Sequence, residues 1–236
     1  MSAHRGASGC RPENTMAAFR AGVAAGADAV ELDVHATADH HLVVIHDYDL
    51  ARTTDGDGLV HERTLAEVRA LSAGRWYDEA YAAERVPLLA EVLALPGVEL
   101  EVELKGLPSE RLVDGVCRAV EASGAAGRVQ VTGAEHMVVA EVKRRLPAVT
   151  AGLFLPPREP GIPAAAYQRL VEESAAFGGF AVVHGRLSGL RALDLGRLHA
   201  RGLAVQAGDV SGRAEILEAV GLGVDRLSTG DPAAAL

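Results

Sequence analysis

Short Val- and Leu-rich runs alternate with helix-length stretches along most of this chain, and that rhythm limits the folds open to it. The β-like runs fall at 28–35, 42–45, 98–105, 129–132, 149–155, 180–183, 204–206 and 226–227, after a very short piece at 1–3. Helical patterns fill the gaps at 12–25, 88–95, 109–122, 135–146, 164–177, 190–201 and 213–219. Strands separated by helices imply parallel strands joined by helical crossovers. With the run at 42–45 continuing the second strand, about eight strands result. Set in 236 residues, near the roughly 250 usual for such a fold, they predict an α/β fold, a (β/α)8 TIM barrel. A doubly wound open sheet is the alternative. After Asp231-Pro232 only 233–236 remain, so the last helix is expected to be stunted or absent.

The segment 48–86 breaks the rhythm. It holds Gly56, Gly58 and Gly74, a short helical piece at 65–71, and Trp76-Tyr77. It is too short for a core of its own, so the expectation is one domain, 1–236, with a small insertion at about 48–86 after the second strand. With 49% hydrophobic residues the chain can bury a full core, and a net charge of -9 argues against a nucleic-acid partner. Cys10 and Cys117, the only cysteines, lack metal or redox spacing and are expected to be free thiols. No basic segment leads into an apolar run at the N-terminus, and no apolar stretch nears the ~20 residues that span a bilayer. A cytoplasmic protein without stable membrane insertion is the expectation. Nothing in the sequence sets an oligomeric state.

Chemistry concentrates between His4 and Asp47. Glu31 and Asp33 stand two apart in an apolar run, so in a strand both carboxylates share a face. His4 follows the first short strand and His46 follows the run at 42–45. The segment 98–105 alternates charged and apolar residues: Glu99 suits a plain surface position, whereas Glu103 suits a functional one. Beside it stands Lys105, one of two lysines in an arginine-rich chain. Strand-end residues of a barrel converge on one face. Glu31, Asp33 and Glu103 would then form a hard oxygen site for Mg2+ or Ca2+, with Mn2+ also admissible. Arg5 and Lys105 add positive charge for a phosphoryl group. Two histidines let one take a proton while the other gives one. His35, His40, His41, His61, His136 and His199 are read as ordinary interior or surface residues, and His184, at a strand end, stays undecided.

In order, the chain carries His4-Arg5-Gly6, Pro12-Glu13-Asn14-Thr15, Glu31-Leu32-Asp33, Thr37-Ala38-Asp39, His46-Asp47, Arg52-Thr53-Thr54 with Gly56 and Gly58, Val86-Pro87-Leu88-Leu89 and Glu103-Leu104-Lys105. This series resembles the glycerophosphodiester phosphodiesterase family, densely over the first ~105 residues and by strand-helix rhythm beyond. The resemblance implies a (β/α)8 barrel, a divalent metal on Glu31, Asp33 and Glu103, acid/base work by His4 and His46, and phosphate contact by Arg5 and Lys105. It also implies cleavage of a small glycerophosphodiester to sn-glycerol 3-phosphate and an alcohol.

The second half departs from that pattern. Thr132-Gly133 stands where members often carry Ser-Phe, Gln206-Ala207-Gly208-Asp209 where a strand often ends in Trp-Thr-Val-Asn, and Thr229-Gly230 where Thr-Asp is usual. These changes fall on the substrate-facing rim, and two of them remove aromatic surface. Two other readings follow. One is a lysophospholipase D-like lipid phosphodiesterase that would use Leu59, Val60, Leu65, Val68, Leu71, Trp76 and Tyr77 of the insertion, although these residues suit the insertion's own packing better. The other is a non-catalytic phosphodiester-binding barrel, which would have no use for an acid/base pair.

Overall fold

The computed structural model describes residues 1–106 and 109–235. In chain order the elements are β1 (Ser2–Ala3), α1 (Met16–Ala24), β2 (Ala29–Ala36), β3 (Leu42–Val44), α2 (Leu65–Ala70), α3 (Leu89–Leu93), β4 (Glu99–Leu104), α4 (Glu110–Ser123), β5 (Val129–Thr132) and α5 (His136–Arg145). They continue with β6 (Thr150–Phe154), α6 (Ala164–Gly178), β7 (Val182–Gly185), α7 (Leu187–Leu190), α8 (Leu195–His199), β8 (Ala204–Ala207), α9 (Gly212–Leu222), β9 (Arg226–Thr229) and α10 (Pro232–Ala235). All strands but β3 pair in parallel with their neighbours. The two-residue β1 closes the ring, pairing Ser2 with Ala29 on one side and with Ser228 on the other. The result is the expected (β/α)8 barrel with one strand bonded outside it.

Residue alternation divides the barrel into two environments. Outward-facing Val30, Leu32, Val34, Leu100, Val102 and Leu104 are buried against helix residues such as Phe19, Leu112, Val116 and Val120. The strands that supply them are covered on both sides, as parallel strands in an α/β fold must be. Bulky branched side chains commonly fill a barrel interior. This lumen is polar instead: Glu31, Asp33, Glu101, Gln130, Thr132, Gln206 and Ser228 are all buried.

Three elements differ from the sequence expectation. The first helix begins at Met16, not near Pro12, because Asn14 adopts a left-handed backbone (φ 54°) and Thr15 caps α1 by accepting from the Ala18 amide. The helix expected over 190–201 is two short pieces, α7 and α8, the second capped by Asp194, whose side chain accepts from the Arg197 amide. The run at 42–45 does not extend β2 in the same direction: β3 turns back antiparallel, pairing Val44 with Val34 and Leu42 with Ala36. At the C-terminus α10 is a single turn, and Leu236 lies outside the described residues.

Between β3 and α3 a second apolar cluster forms from Val43, Ile45, Leu50, Val60, Val68, Ala73 and Val86, with Leu65 and Leu71 packed against it. Most of the insertion's aliphatic side chains are therefore spent on its own packing, while Trp76 and Tyr77 stay exposed and meet edge to face. Cys10 is exposed, Cys117 is buried, and both are free. Among the described residues no helix is long and apolar enough to cross a membrane. Phe19, fully buried where α1 meets the barrel, is the largest apolar anchor of that helix. Phe19→Ala should lower unfolding free energy by about 3–5 kcal/mol; a loss below 1 kcal/mol in urea melts would show that α1 is not held by this contact.

Candidate active site

The site begins with strand register. On β2 and β4, Glu31 pairs with Glu101 and Asp33 with Glu103, so carboxylates lie directly opposite one another across the sheet. Like charges in that arrangement repel. Oxygens of Glu31, Asp33 and Glu103 all lie within 4.8 Å of one another. Glu31 and Asp33 are almost wholly buried, and among the described residues Glu31 Oε1 and Asp33 Oδ1 have no hydrogen-bond partner. Burial and then the neighbouring Asp33 and Glu103 push the Glu31 carboxyl well above the usual range. Burial and Asp33 likewise raise Glu103 to about 7, although Lys105 opposes the rise. Clustered acids with unsatisfied oxygens and raised proton affinity are what a divalent cation relieves. The three residues therefore fit a hard cation, and the structure brings together the set expected from sequence.

The loop after β1 wraps this cluster. Arg5 takes a left-handed backbone (φ 54°), and its amide donates to Glu31 Oε2 at 2.8 Å. Its guanidinium donates to Glu13 at 2.9 Å and lies 3.4 Å from Asp33 Oδ2. Gly6 permits the turn: it has φ 78°, and a Cβ there would lie 2.5 Å from the Ala18 carbonyl carbon. Asn14 donates to Asp33 Oδ2 at 2.7 Å, so the loop also aims the acid. Lys105 sits 2.5 Å from Glu103 and 3.4 Å from Asp33. Burial works against its charge, yet Asp33 and Glu103 raise its pKa, which keeps it cationic.

The two candidate histidines reach the cluster by different routes. His4 follows β1, its amide donating to the Thr229 carbonyl at 2.8 Å. Its Nε2 is 3.1 Å from Asp209 and 3.9 Å from Glu31. Burial lowers its pKa, with Asp209 opposing. His46 arrives from above because β3 runs downward and the Ile45 amide bonds the Asp33 carbonyl. Its Nδ1 lies 2.6 Å from Asp47 Oδ1, and Arg52 donates both to Asp47 and to Glu13. The Arg52 hydrogen bonds, together with His46, hold the Asp47 carboxyl far below the usual carboxylate range. With Asp47 accepting at Nδ1, the other ring nitrogen is left for chemistry.

His4, Arg5, Glu31, His46, Glu103 and Lys105 line one cavity of about 340 Å³, and Asp33 lies buried beside them. Its far wall is Phe154, Leu155, His184, Gly185, Arg186, Gly208 and Asp209. Sequence reasoning left His184 open, named Gln206 and Asp209 only as parts of an altered rim segment, and did not single out Glu101. Glu101 was legible in one respect, since it shares the alternation of Glu99 and Glu103. His35, taken as an ordinary interior residue, is buried with Nε2 3.1 Å from the His46 carbonyl, so it supports the segment that carries His46.

The model of the Glycerophosphoryl diester phosphodiesterase family matches residues 4–234. The chain belongs to this family. It is 39% identical over 157 residues to a glycerophosphodiester phosphodiesterase of Caldanaerobacter subterraneus subsp. tengcongensis, a match covering 64% of this chain and 65% of that protein. The aligned part thus spans just under two thirds of that relative's length. Among solved structures it is similar to a phosphodiesterase of Oleispira antarctica in complex with the product sn-glycerol-3-phosphate (TM-score 0.85, 27% identity, 99% of this chain and 94% of that one). It is also similar to a glycerophosphodiester phosphodiesterase of Agrobacterium tumefaciens (TM-score 0.79, 26% identity, 99% and 97%).

Glu103 gives a signed pH prediction. Its folded pKa of about 7 lies above the ordinary 4.5, so its protonation supports the cation-free fold below pH 4.5, and that support is lost as pH rises through 7. Without cation, wild type should lose thermal stability relative to Glu103→Gln over this window, and saturating Mg2+ or Ca2+ should cancel the loss. Parallel melting curves for the two proteins from pH 4.5 to 8 would refute the assignment.

Proposed function

We propose that this chain hydrolyses small glycerophosphodiesters to sn-glycerol 3-phosphate and an alcohol, in a single barrel domain (1–236) interrupted by an insertion at about 48–86. The observation that carries the proposal is one cavity that joins unneutralised carboxylates, two histidines and two cations. Family membership and the glycerol phosphate bound by the Oleispira relative support the substrate class.

Glu31, Asp33 and Glu103 would hold a divalent cation, Mg2+ or Ca2+ on oxygen ligands with Mn2+ as a further candidate. Bound there, it would draw charge from a non-bridging phosphate oxygen and make phosphorus more electrophilic. Arg5 and Lys105, both cationic and both beside Asp33, would orient the phosphoryl oxygens. One of His4 and His46 takes the proton of the nucleophile, either water or the substrate's own 2-hydroxyl, as the new P–O bond forms. The other protonates the departing oxygen as the old P–O bond breaks. A 2-hydroxyl nucleophile would pass through a cyclic phosphate that water then opens. Asp47, itself held by Arg52, keeps the His46 ring from rotating during this exchange.

The test is release of glycerol 3-phosphate from a panel of glycerophosphodiesters, with EDTA and with each cation restored. Release should require a cation. His4→Ala and His46→Ala should each lower turnover by about 10²–10⁴-fold while leaving the fold intact by circular dichroism. Cation-independent release, or wild-type turnover in either variant, would sink the mechanism. Cleavage confined to detergent-dispersed lysolipid would favour a lipid phosphodiesterase instead.

A further inference from the structure

Glu101 is a buried carboxylate outside both the cation cluster and the acid/base pair. Its side chain is almost wholly enclosed in the lumen. Gln206 Nε2 donates to its Oε2 at 2.8 Å, and His184 Nδ1 lies 3.1 Å from its Oε1, off the ideal hydrogen-bond line. Burying a carboxylate is costly, and a contact with an imidazole is a weak source of net stability in return. A barrel core of this kind would be served as well by apolar side chains. The arrangement makes more sense from its other end, where His184 forms part of the far wall of the active-site cavity.

Three contacts set the His184 ring. Glu101 meets Nδ1 from below, and Phe154 packs edge-on at 4.8 Å and 73°. Gly208 leaves open the space that the ring enters: a Cβ at 208 would lie 2.6 Å from His184 Nε2. The imidazole thus occupies the position that a side chain from β8 would otherwise take. With Nδ1 buried beside Glu101, Nε2 is the nitrogen left for the cavity that His184 lines. His4, Arg5, His46 and Lys105, proposed above to face the phosphate, line the same cavity as His184, so a group esterified to that phosphate would share the cavity with this ring.

We propose that His184 reads a hydroxyl of the polyol half of the substrate through Nε2, with Glu101 as its positioning residue and Gly208 as the opening that admits the ring. The ligand class is a phosphate ester of a short polyol, and this assignment rests on the phosphodiester reading above. The hydroxyl hydrogen-bonds to the ring edge, and an ester lacking hydroxyls leaves that edge unpaired, which costs affinity.

Binding measured by calorimetry, independently of turnover, tests it. The full-length protein with saturating Ca2+ is titrated with sn-glycerol 3-phosphate and with methyl phosphate, which has no hydroxyl to offer. Wild type should prefer the glycerol ester by about tenfold or more, the scale of one well-made hydrogen bond. His184→Ala should remove that preference. Gly208→Ala, which needs no unusual backbone and pushes the ring aside, should do the same without touching His184. Glu101→Gln should reduce the preference, and His184→Gln should restore part of what alanine loses. An unchanged preference in His184→Ala and Gly208→Ala overturns the proposal. Wild type that binds both phosphates equally overturns it too while leaving the phosphodiester reading standing, whereas wild type that binds neither overturns both.

Discussion

Repulsion between carboxylates is the constraint around which this molecule is organised. The pairing of β2 with β4 sets Glu31 against Glu101 and Asp33 against Glu103 inside a closed barrel, where burial of Glu31, Asp33 and Glu101 leaves little water to disperse the charge. Several polar groups nearby answer that charge. Arg5 and Lys105 lean on Asp33, Asn14 donates to it, the Arg5 amide caps Glu31, and Gln206 with His184 compensates Glu101. Among the described residues three buried carboxylate oxygens still lack a hydrogen-bond partner, Glu31 Oε1 and Asp33 Oδ1 within the acidic cluster and Glu101 Oε1 beside it. A divalent cation on the oxygens of Glu31, Asp33 and Glu103 would satisfy the two within the cluster, which fits the role proposed for it.

The backbone is bent to serve the same end. Arg5 and Asn14 both adopt left-handed conformations, at φ 54° each, and non-glycine residues held that way cost on the order of 1–3 kcal/mol apiece. Their strain is repaid by the hydrogen bonds they make to Glu31 and Asp33. Asp209, at φ 56°, is a third such residue, and it touches His4. Among the described residues one more non-glycine residue has a positive φ, His40 in the turn between β2 and β3, so three of the four such residues lie at the site. The apolar face is conventional by comparison, with outward Val and Leu side chains packed under amphipathic helices.

Around the cavity rim Thr132, Gly208, Thr229 and Gly230 are small, and a Cβ at Gly208 would lie 2.6 Å from His184 Nε2, so this glycine makes room for the His184 ring. The His184 imidazole in the far wall of the cavity is the group proposed above to read a substrate hydroxyl. The insertion does not supply a substitute, since its aliphatic side chains are committed to a cluster of their own.

Much of the fold and half of the site were legible in the sequence for a simple reason: alternation within a strand is local. Glu31 with Asp33, and Glu103 with Lys105, declare a shared face from spacing alone, and the strand-helix rhythm declares the barrel. The reversal of β3 was not legible, because a run of Leu and Val carries no direction, and only pairing with Val34–Ala36 brings His46 down beside Asp33. The partners of Glu101 were hidden for a different reason. Gln206 lies 105 residues away in sequence, and only closure of the ring carries β7 and β8 round to face β4 across the lumen. The sequence by itself determined which side chains share a strand face; tertiary structure decided which faces meet, because that depends on strand register and barrel closure, and neither is written in any short segment of the chain.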